Sequence, residues 1–220
     1  MANPVTTSRN KYHSNIKNST IYTPAGVCDF LYDIVSPNIS RGKIIDPSIG
    51  SGNLTRRFHE DGWEIIGYDI DDQCDFININ KMNFLKEEDK RDDVCLVICN
   101  PPFNTDKRNK DYLNKNKLGK ALLPELFADK VFSLYGNDTK LVLLCPMGLR
   151  LNQRIYSSNR KISDRRGKRY RKVRDNWPKI SSIVSLPLDI FPNVEFHNEI
   201  LIFNVPELDS HYCLPEEYFY

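Results

Sequence analysis

The sequence predicts an α/β fold: a mostly parallel sheet of seven strands with helices on both faces. Two observations predict this class. Short apolar runs alternate with segments of helical spacing at least four times along the 220 residues, a pattern typical of strands joined by crossover helices. Four of these runs also end in polar or glycine-rich residues, and parallel strands bring such ends to one edge of a sheet.

The individual elements follow from local patterns. Residues 24–35 predict the first helix, because four apolar residues recur at helical spacing and Pro24 suits a first turn. Two further helices are expected over residues 53–61, stopped by a glycine, and 121–135. The expected strands are residues 43–46, residues 63–69, a short segment ending near Asn83, and residues 94–99, 140–145, 180–186 and 199–205.

Composition limits the class of protein. Apolar residues make up 40% of the chain and aromatic residues 11%, which is enough for a buried core. No apolar run approaches the roughly 18 residues of a membrane span, and the N-terminus lacks an apolar signal core, so no membrane association and a cytoplasmic location are expected. The six cysteines form no CxxC pair, which indicates reduced thiols and no metal site.

Positive charge is concentrated in one stretch. Residues 150–174 hold eleven basic residues and one acid, a local charge of +10 that leaves −8 on the rest of a chain whose net charge is +2. Such clustering predicts a polyanionic partner, although a solvated loop is the simpler alternative. Together with the basic loop of residues 104–120, it supplies the expected contacts to a nucleic-acid backbone, which are Lys107, Arg108, Lys110, Arg165, Arg166, Lys168 and Arg169.

The strand ends indicate what kind of ligand binds. Gly50 and Gly52 follow the first strand and allow close approach of a ligand before a helix, although a plain strand-to-helix turn is an alternative. Asp69 ends the second strand, where an acid suits the two hydroxyls of a ribose. Thr55 stands where a dinucleotide site would prefer a third glycine, so the pattern favours an adenosine without pyrophosphate, such as S-adenosylmethionine.

Several of these segments resemble known motifs. The stretches "DPSIGSGNL", "GYDID", "MNFL" and "NPPF" look like motifs I to IV of S-adenosylmethionine-dependent adenine-N6 DNA methyltransferases. "IYTPAGVCDFL" is similar to motif X of their gamma group, and "IVSLPLDIFPNVEFHNEILIFNV" resembles the closing segment of that group, which includes type I modification subunits. The resemblance covers residues 20–205. It implies a Rossmann-like class I methyltransferase fold, S-adenosylmethionine as the cofactor and DNA as the substrate.

The resemblance also implies roles for individual residues. Asn100, Pro101, Pro102 and Phe103 would be catalytic: the Asn100 amide oxygen and the Pro101 carbonyl accept hydrogen bonds from the target amine, and Phe103 stacks on the base. Phe191 in the closing segment would also stack on the target base, with Phe196 as a fallback and core packing as the alternative for either ring. The residues expected at the cofactor are Tyr22, Thr23, Asp46, Ser48, Gly50, Gly52, Asp69, Ile70, Asn83, Phe84 and Asn100.

Two departures from the family pattern bear on these expectations. Asn83 stands where motif III usually carries an acid, but an amide oxygen can still accept from the cofactor's adenine amino group. The second departure is that family members usually carry a separate target-recognition domain, and none is expected here. Residues 1–20 are expected to be a polar segment, and residues 21–220 one catalytic domain with a basic insertion over about 150–177. The basic segment over residues 150–174 is the best substitute for such a domain, and a specificity or partner subunit is the open alternative.

Two other functions stay open at the level of the sequence. NPPF is shared with RNA adenine methyltransferases and protein glutamine methyltransferases, and an RNA adenine methyltransferase is the closest competing reading. The third reading is a nucleic-acid-binding subunit that kept the fold without catalysis. The intact Asn100-Pro-Pro-Phe103 stretch argues against that subunit.

Overall fold

The computed structural model describes residues 22–71, 73–103, 122–151, 177–191 and 197–219. Within these ranges the chain forms one eight-stranded sheet in the order β3-β2-β1-β4-β5-β7-β6-β8. The strands are β1 (Lys43–Asp46), β2 (Glu64–Asp69), β3 (Asn80–Lys81), β4 (Val94–Cys99), β5 (Leu141–Pro146), β6 (Ile180–Ser185), β7 (Asn198–Phe203) and β8 (His211–Cys213).

The sheet is mostly parallel, as the sequence predicts. Strand β1 pairs in parallel with β2 and β4, β2 with β3, β4 with β5, and β6 with β8. Only β7 runs against its neighbours among the described strands, because it pairs antiparallel with both β5 and β6. The carboxyl ends of β1, β2, β4, β5 and β6 therefore lie along one edge of the sheet.

Helices cover both faces of the sheet. They are α1 (Ala25–Val35), α2 (Asn53–Glu60), α3 (Leu123–Tyr135) and α4 (Gly148–Leu151). In β1, Ile44 packs into the core with α1 and α2, whereas Ile45 packs into the core with α3. This alternation along a strand is what buries both faces of the sheet.

Two strands differ from the predicted elements. Strand β8 makes the sheet eight-stranded instead of seven-stranded. The sequence does not predict β8 because its three residues are exposed or half-buried and form no apolar run. The third strand ends at Lys81 and does not reach Asn83, whose side chain accepts a hydrogen bond from the Leu85 amide at 3.0 Å. This bond caps the turn that follows Asn83. A side chain that bonds to its own local backbone competes with strand pairing, so the strand ends before Asn83.

In the described ranges, no helix combines the length and the apolar character that crossing a membrane requires. All six cysteines lie in these ranges, and each has a free thiol.

Candidate active site

One open pocket lies at the carboxyl ends of β1, β2 and β4. Most residues that the sequence predicts at a cofactor line it together, although they come from five separate segments of the chain. These lining residues are Tyr22, Thr23, Asp46, Ser48, Gly50, Asp69, Ile70, Asn83, Phe84 and Asn100, and Pro102 joins them. The sheet topology therefore brings ten of the eleven residues expected at the cofactor to one pocket; Gly52 is not among the lining residues.

The turn after β1 depends on two glycines with left-handed backbone. Gly50 has φ 52° and Gly52 has φ 81°, a region that other L-residues rarely adopt. The Gly52 amide donates to the Ile49 carbonyl at 2.8 Å, and the Ile49 amide donates to the Tyr68 carbonyl of β2 at 3.0 Å. These main-chain bonds fix the turn against the neighbouring strand.

Gly52 faces the loop between β2 and β3. A Cβ at this position would lie 2.3 Å from a ring carbon of Phe76 and 2.9 Å from Cys74 Sγ. The guanidinium of Arg56 in α2 lies over the Phe76 ring at 4.6 Å, and it also pairs with Asp75 at 2.9 Å. The loop thus packs tightly against the glycine turn, which requires glycine for space as well as for conformation.

Asp69 is fixed across the glycine turn. Its Oδ2 accepts from the Gly50 amide at 2.9 Å, and its Oδ1 accepts from the Asp71 amide at 3.0 Å. An ionised carboxylate has about four acceptor positions, so these two bonds orient the group without saturating it. The remaining capacity suits hydroxyl donors such as those of a ribose.

Asp46 is a buried carboxyl group on the pocket wall. Its side chain is 1% exposed, and its Oδ1 accepts from the Ser48 amide at 3.0 Å. Burial raises the pKa of Asp46 to about 8; the charge of Asp69 adds to this rise, and the Ser48 hydrogen bond opposes it. A positively charged ligand in this pocket would favour the ionised form of the carboxyl group.

The far wall of the pocket is more apolar. Phe84 is 1% exposed and packs edge-on against Tyr68, with ring centroids 5.2 Å apart. It also stacks with Phe127 of α3 at 6.2 Å, so α3 supplies part of this wall. Asn83 stands beside it, with its amide oxygen already accepting from Leu85.

The Asn-Pro-Pro-Phe stretch follows β4 directly. Asn100 lines the pocket, and its Nδ2 donates to the hydroxyl of Thr23 at 3.1 Å. Pro101 is buried, whereas Pro102 and Phe103 are half-buried. The loop thus places its amide next to the glycine turn and next to the segment that precedes α1.

Phe191 lies in the core. Its side chain is 1% exposed and belongs to the apolar cluster that packs against α1 and α2. This position agrees with the core-packing alternative, because a ring enclosed by apolar side chains has no face left for a target base. Phe196 lies outside the described residues.

Other pocket residues carry no clear sequence signal. Ser51 belongs to the glycine turn, and Asn53 is the first residue of α2. Gln73 accepts a hydrogen bond from the Tyr22 hydroxyl. Their place on the wall depends on contacts between distant parts of the chain. The residues predicted to bind a nucleic-acid backbone lie outside the described ranges; they are Lys107, Arg108, Lys110, Arg165, Arg166, Lys168 and Arg169.

Comparison with known proteins places this fold. No protein-family model and no curated protein sequence matches the chain. Among solved structures, a modification subunit of a putative type I restriction enzyme from Vibrio vulnificus is 17% identical with a TM-score of 0.59, over 88% of this chain and 49% of that one. A putative class I S-adenosylmethionine-dependent methyltransferase from Listeria monocytogenes is 19% identical with a TM-score of 0.59, over 92% and 66%.

A third similar structure comes from a type I restriction-modification system; it is 19% identical with a TM-score of 0.60, over 88% of this chain and 45% of that one. At these identities the matches establish the fold, and the chain has the fold of class I methyltransferases. The structural neighbours thus include a type I modification subunit, the class of protein that the motif resemblance names. The chain spans less than two thirds of the length of each of these three proteins.

Proposed function

We propose that this protein transfers a methyl group from S-adenosylmethionine to the 6-amino group of adenine in DNA. One observation carries the proposal: Asn100, which begins the Asn-Pro-Pro-Phe stretch, lines the same pocket as the glycine turn and Asp69. An acceptor amide and a site suited to adenosine therefore share one cavity. The similarity to structures described as type I modification subunits supports DNA as the substrate.

The pocket residues fit S-adenosylmethionine chemically. Asp69 would accept hydrogen bonds from the ribose hydroxyls, and the Asn83 amide oxygen would accept from the adenine amino group. The Thr23 hydroxyl would donate to the carboxylate of the methionine part. The buried Asp46 carboxyl matches the net positive charge of this cofactor. When bound, the cofactor supplies a methyl group activated by attachment to a sulfonium.

The residues after β4 would prepare the target amine. The lone pair of an adenine amino group is delocalised into the ring, which makes the nitrogen a poor nucleophile. Hydrogen bonds from this amine to the Asn100 amide oxygen and the Pro101 carbonyl favour tetrahedral nitrogen and free the lone pair. Because prolines restrict the loop, these acceptors need little reorganisation at the moment of reaction.

No strong general base is required, because the proton leaves a nitrogen that methylation has already made cationic. Phe103, which is half-buried, would stack on the target base. The base must leave its duplex, or come from a single strand, to enter the pocket. The basic stretches over residues 104–120 and 150–174 would hold the phosphate backbone without selecting a sequence, so a partner subunit would supply longer specificity.

Methyl transfer to nucleic acid tests this proposal. The purified protein, with radiolabelled S-adenosylmethionine, is offered duplex DNA, single-stranded DNA and structured RNA in parallel. We expect label on adenine N6 in DNA, and one cofactor site by calorimetry. Label on RNA alone would instead support an RNA adenine methyltransferase, and no cofactor binding at millimolar concentration would contradict the proposal.

The variant Asn100→Ala tests the role of the amide. We expect turnover to fall by about a hundredfold or more, because the lost acceptor acts on the amine in the transition state. Cofactor affinity should stay within about threefold of the wild-type value. Asn38→Ala is the matched control, since Asn38 caps α1 by donating to the Ile34 carbonyl and is not among the pocket residues. Wild-type turnover in Asn100→Ala would contradict the assigned role.

A further inference from the structure

Thr23 connects the two loops that form the pocket. It is 4% exposed and lies just before α1. Its hydroxyl oxygen accepts from Asn100 Nδ2 at 3.1 Å, and its main-chain carbonyl accepts from Asn53 Nδ2 at 3.3 Å. Asn53 is the first residue of α2, immediately after the glycine turn. One buried residue thus contacts both the loop after β1 and the loop after β4.

The connection continues into the glycine turn. The Ser51 hydroxyl donates to Asn53 Oδ1 at 3.0 Å, which holds the Asn53 amide with its nitrogen towards Thr23. Hydrogen bonds therefore link Ser51 to Asn53, Asn53 to Thr23 and Thr23 to Asn100, and all four residues line the pocket. The two bonds to Thr23 end on different groups, its main-chain carbonyl and its hydroxyl, so Thr23 links the two loops through its position in the chain.

We propose that Thr23 is a positioning residue that couples cofactor binding to the orientation of the Asn100 amide. This inference rests on the proposed function. A threonine hydroxyl has one donor and two acceptor positions. Here one acceptor position receives the hydrogen bond from Asn100 Nδ2. The hydroxyl proton can therefore donate to another group, the carboxylate of the cofactor. One hydroxyl would then serve the cofactor and the catalytic amide together.

The orientation of the amide decides whether Asn100 can act. The amide is planar, so a nitrogen held by Thr23 leaves the oxygen on the opposite side of the group. The target amine donates hydrogen bonds and needs that oxygen. Removing the Thr23 hydroxyl removes the contribution of this bond to the amide orientation, and the rotated form would present a donor to a donor.

Three variants and a control test the coupling. Thr23→Val keeps the shape and removes the hydroxyl, Thr23→Ser keeps the hydroxyl, and Thr23→Ala replaces valine if that variant does not fold. The control is Thr139→Val, which removes a hydroxyl bond of 2.7 Å to the Gly136 carbonyl near the start of β5, at the opposite edge of the sheet.

The first readout is the single-turnover rate of methyl transfer at saturating cofactor. We expect Thr23→Val to lower this rate between about tenfold and a hundredfold, as misplacement of a reacting group does, and Thr23→Ser to stay within about threefold of wild type. Thr139→Val should leave the rate unchanged. A Thr23→Val enzyme that only needs more cofactor and then reaches the wild-type rate would overturn the inference.

The second readout is cofactor affinity in a double-mutant cycle of Thr23→Val with Asn100→Ala, measured by calorimetry. We expect the affinity loss from Thr23→Val to differ by at least about threefold between the two backgrounds, which exceeds the scatter of independent substitutions. Additive losses would overturn the inference. A wild-type protein that binds S-adenosylmethionine but methylates neither DNA nor RNA would overturn the proposed function instead, and the cycle would then decide the coupling alone.

Discussion

The loops after β1 and β4 begin alike and are held differently. Each starts with a polar side chain followed by proline, Asp46 before Pro47 and Asn100 before Pro101. The loop after β1 is fixed by left-handed glycines and by main-chain bonds to β2. In the loop after β4, the amide of Asn100 is held by a side-chain hydrogen bond to Thr23, and two prolines restrict the backbone.

This difference predicts different roles for the two loops, cofactor binding for the loop after β1 and catalysis for the loop after β4. The turn after β1 is fixed by main-chain bonds and by the Asp69 carboxylate that accepts from the Gly50 amide, which suits a site that must receive the same cofactor each time. A loop whose catalytic amide is oriented through a side-chain hydrogen bond can lose its chemistry without losing its fold. Substitutions in the first loop should therefore affect stability and cofactor affinity, and substitutions in the second should affect the rate.

The largest effect is expected from Gly52→Ala, with Gly62→Ala as the matched control. The two glycines have nearly the same φ, 81° and 78°, but only Gly52 is crowded, by Phe76; a Cβ at Gly62 meets nothing within 4 Å. Left-handed backbone alone should cost Gly62→Ala about 1–2 kcal/mol. The added clash should bring the loss in Gly52→Ala to about 2–5 kcal/mol.

Urea unfolding of both variants measures these losses. Cofactor affinity should also fall in Gly52→Ala and stay unchanged in Gly62→Ala, because only the first residue belongs to the turn beside the pocket. Equal losses of stability would show that Phe76 moves aside at little cost, and that the loop between β2 and β3 does not hold the turn.

A smaller effect, confined to the substrate, is expected from Phe103→Ala. The half-buried ring should contribute about 1–3 kcal/mol of stacking on the base, so the KM for nucleic acid should rise while cofactor affinity stays the same. Phe219→Ala is the control, because this half-buried ring packs against the core and should affect stability alone. An unchanged KM in Phe103→Ala would show that the ring has no part in holding the base.

Local patterns in the sequence predict most of the fold. The apolar runs of β1, β2, β4, β5, β6 and β7 and the helical spacing of α1 to α3 place these elements within one or two residues of their observed bounds. Strand β8 and helix α4 are too short for any periodicity to show. Asn83 was expected at a strand end but caps a turn, since the local bond from Leu85 outcompetes strand pairing.

The site is predictable only where chemistry follows a strand directly. Asp46, Asp69 and Asn100 each stand at or just after the last residue of a buried strand, so topology alone brings them to one edge. The bond between Thr23 and Asn100 joins residues 77 positions apart, and no spacing rule indicates it. The burial of Phe191 likewise depends on how the closing segment packs against α1 and α2.

The smallest effect concerns Asp46 at the end of β1, whose protonation should affect both stability and, more usefully, cofactor affinity. Burial raises the pKa of Asp46 to about 8, so the folded protein holds this proton more tightly than the unfolded chain. The contribution of this group to stability is therefore present at low pH and is lost as pH rises from about 4 towards 8. Asp46→Asn should remove this dependence.

A cofactor of net positive charge binds better when Asp46 is ionised. Its affinity should therefore rise with pH, by about fivefold between pH 7 and pH 8 for a pKa of about 8, and level off above that pKa. At pH 7 each binding event should release nearly one proton, which calorimetry in buffers of different ionisation enthalpy detects. Asp46→Asn should bind more weakly at high pH and show neither effect. If the wild type releases no proton, the protonation of Asp46 does not change on binding, and this carboxyl does not set the pH dependence of cofactor affinity.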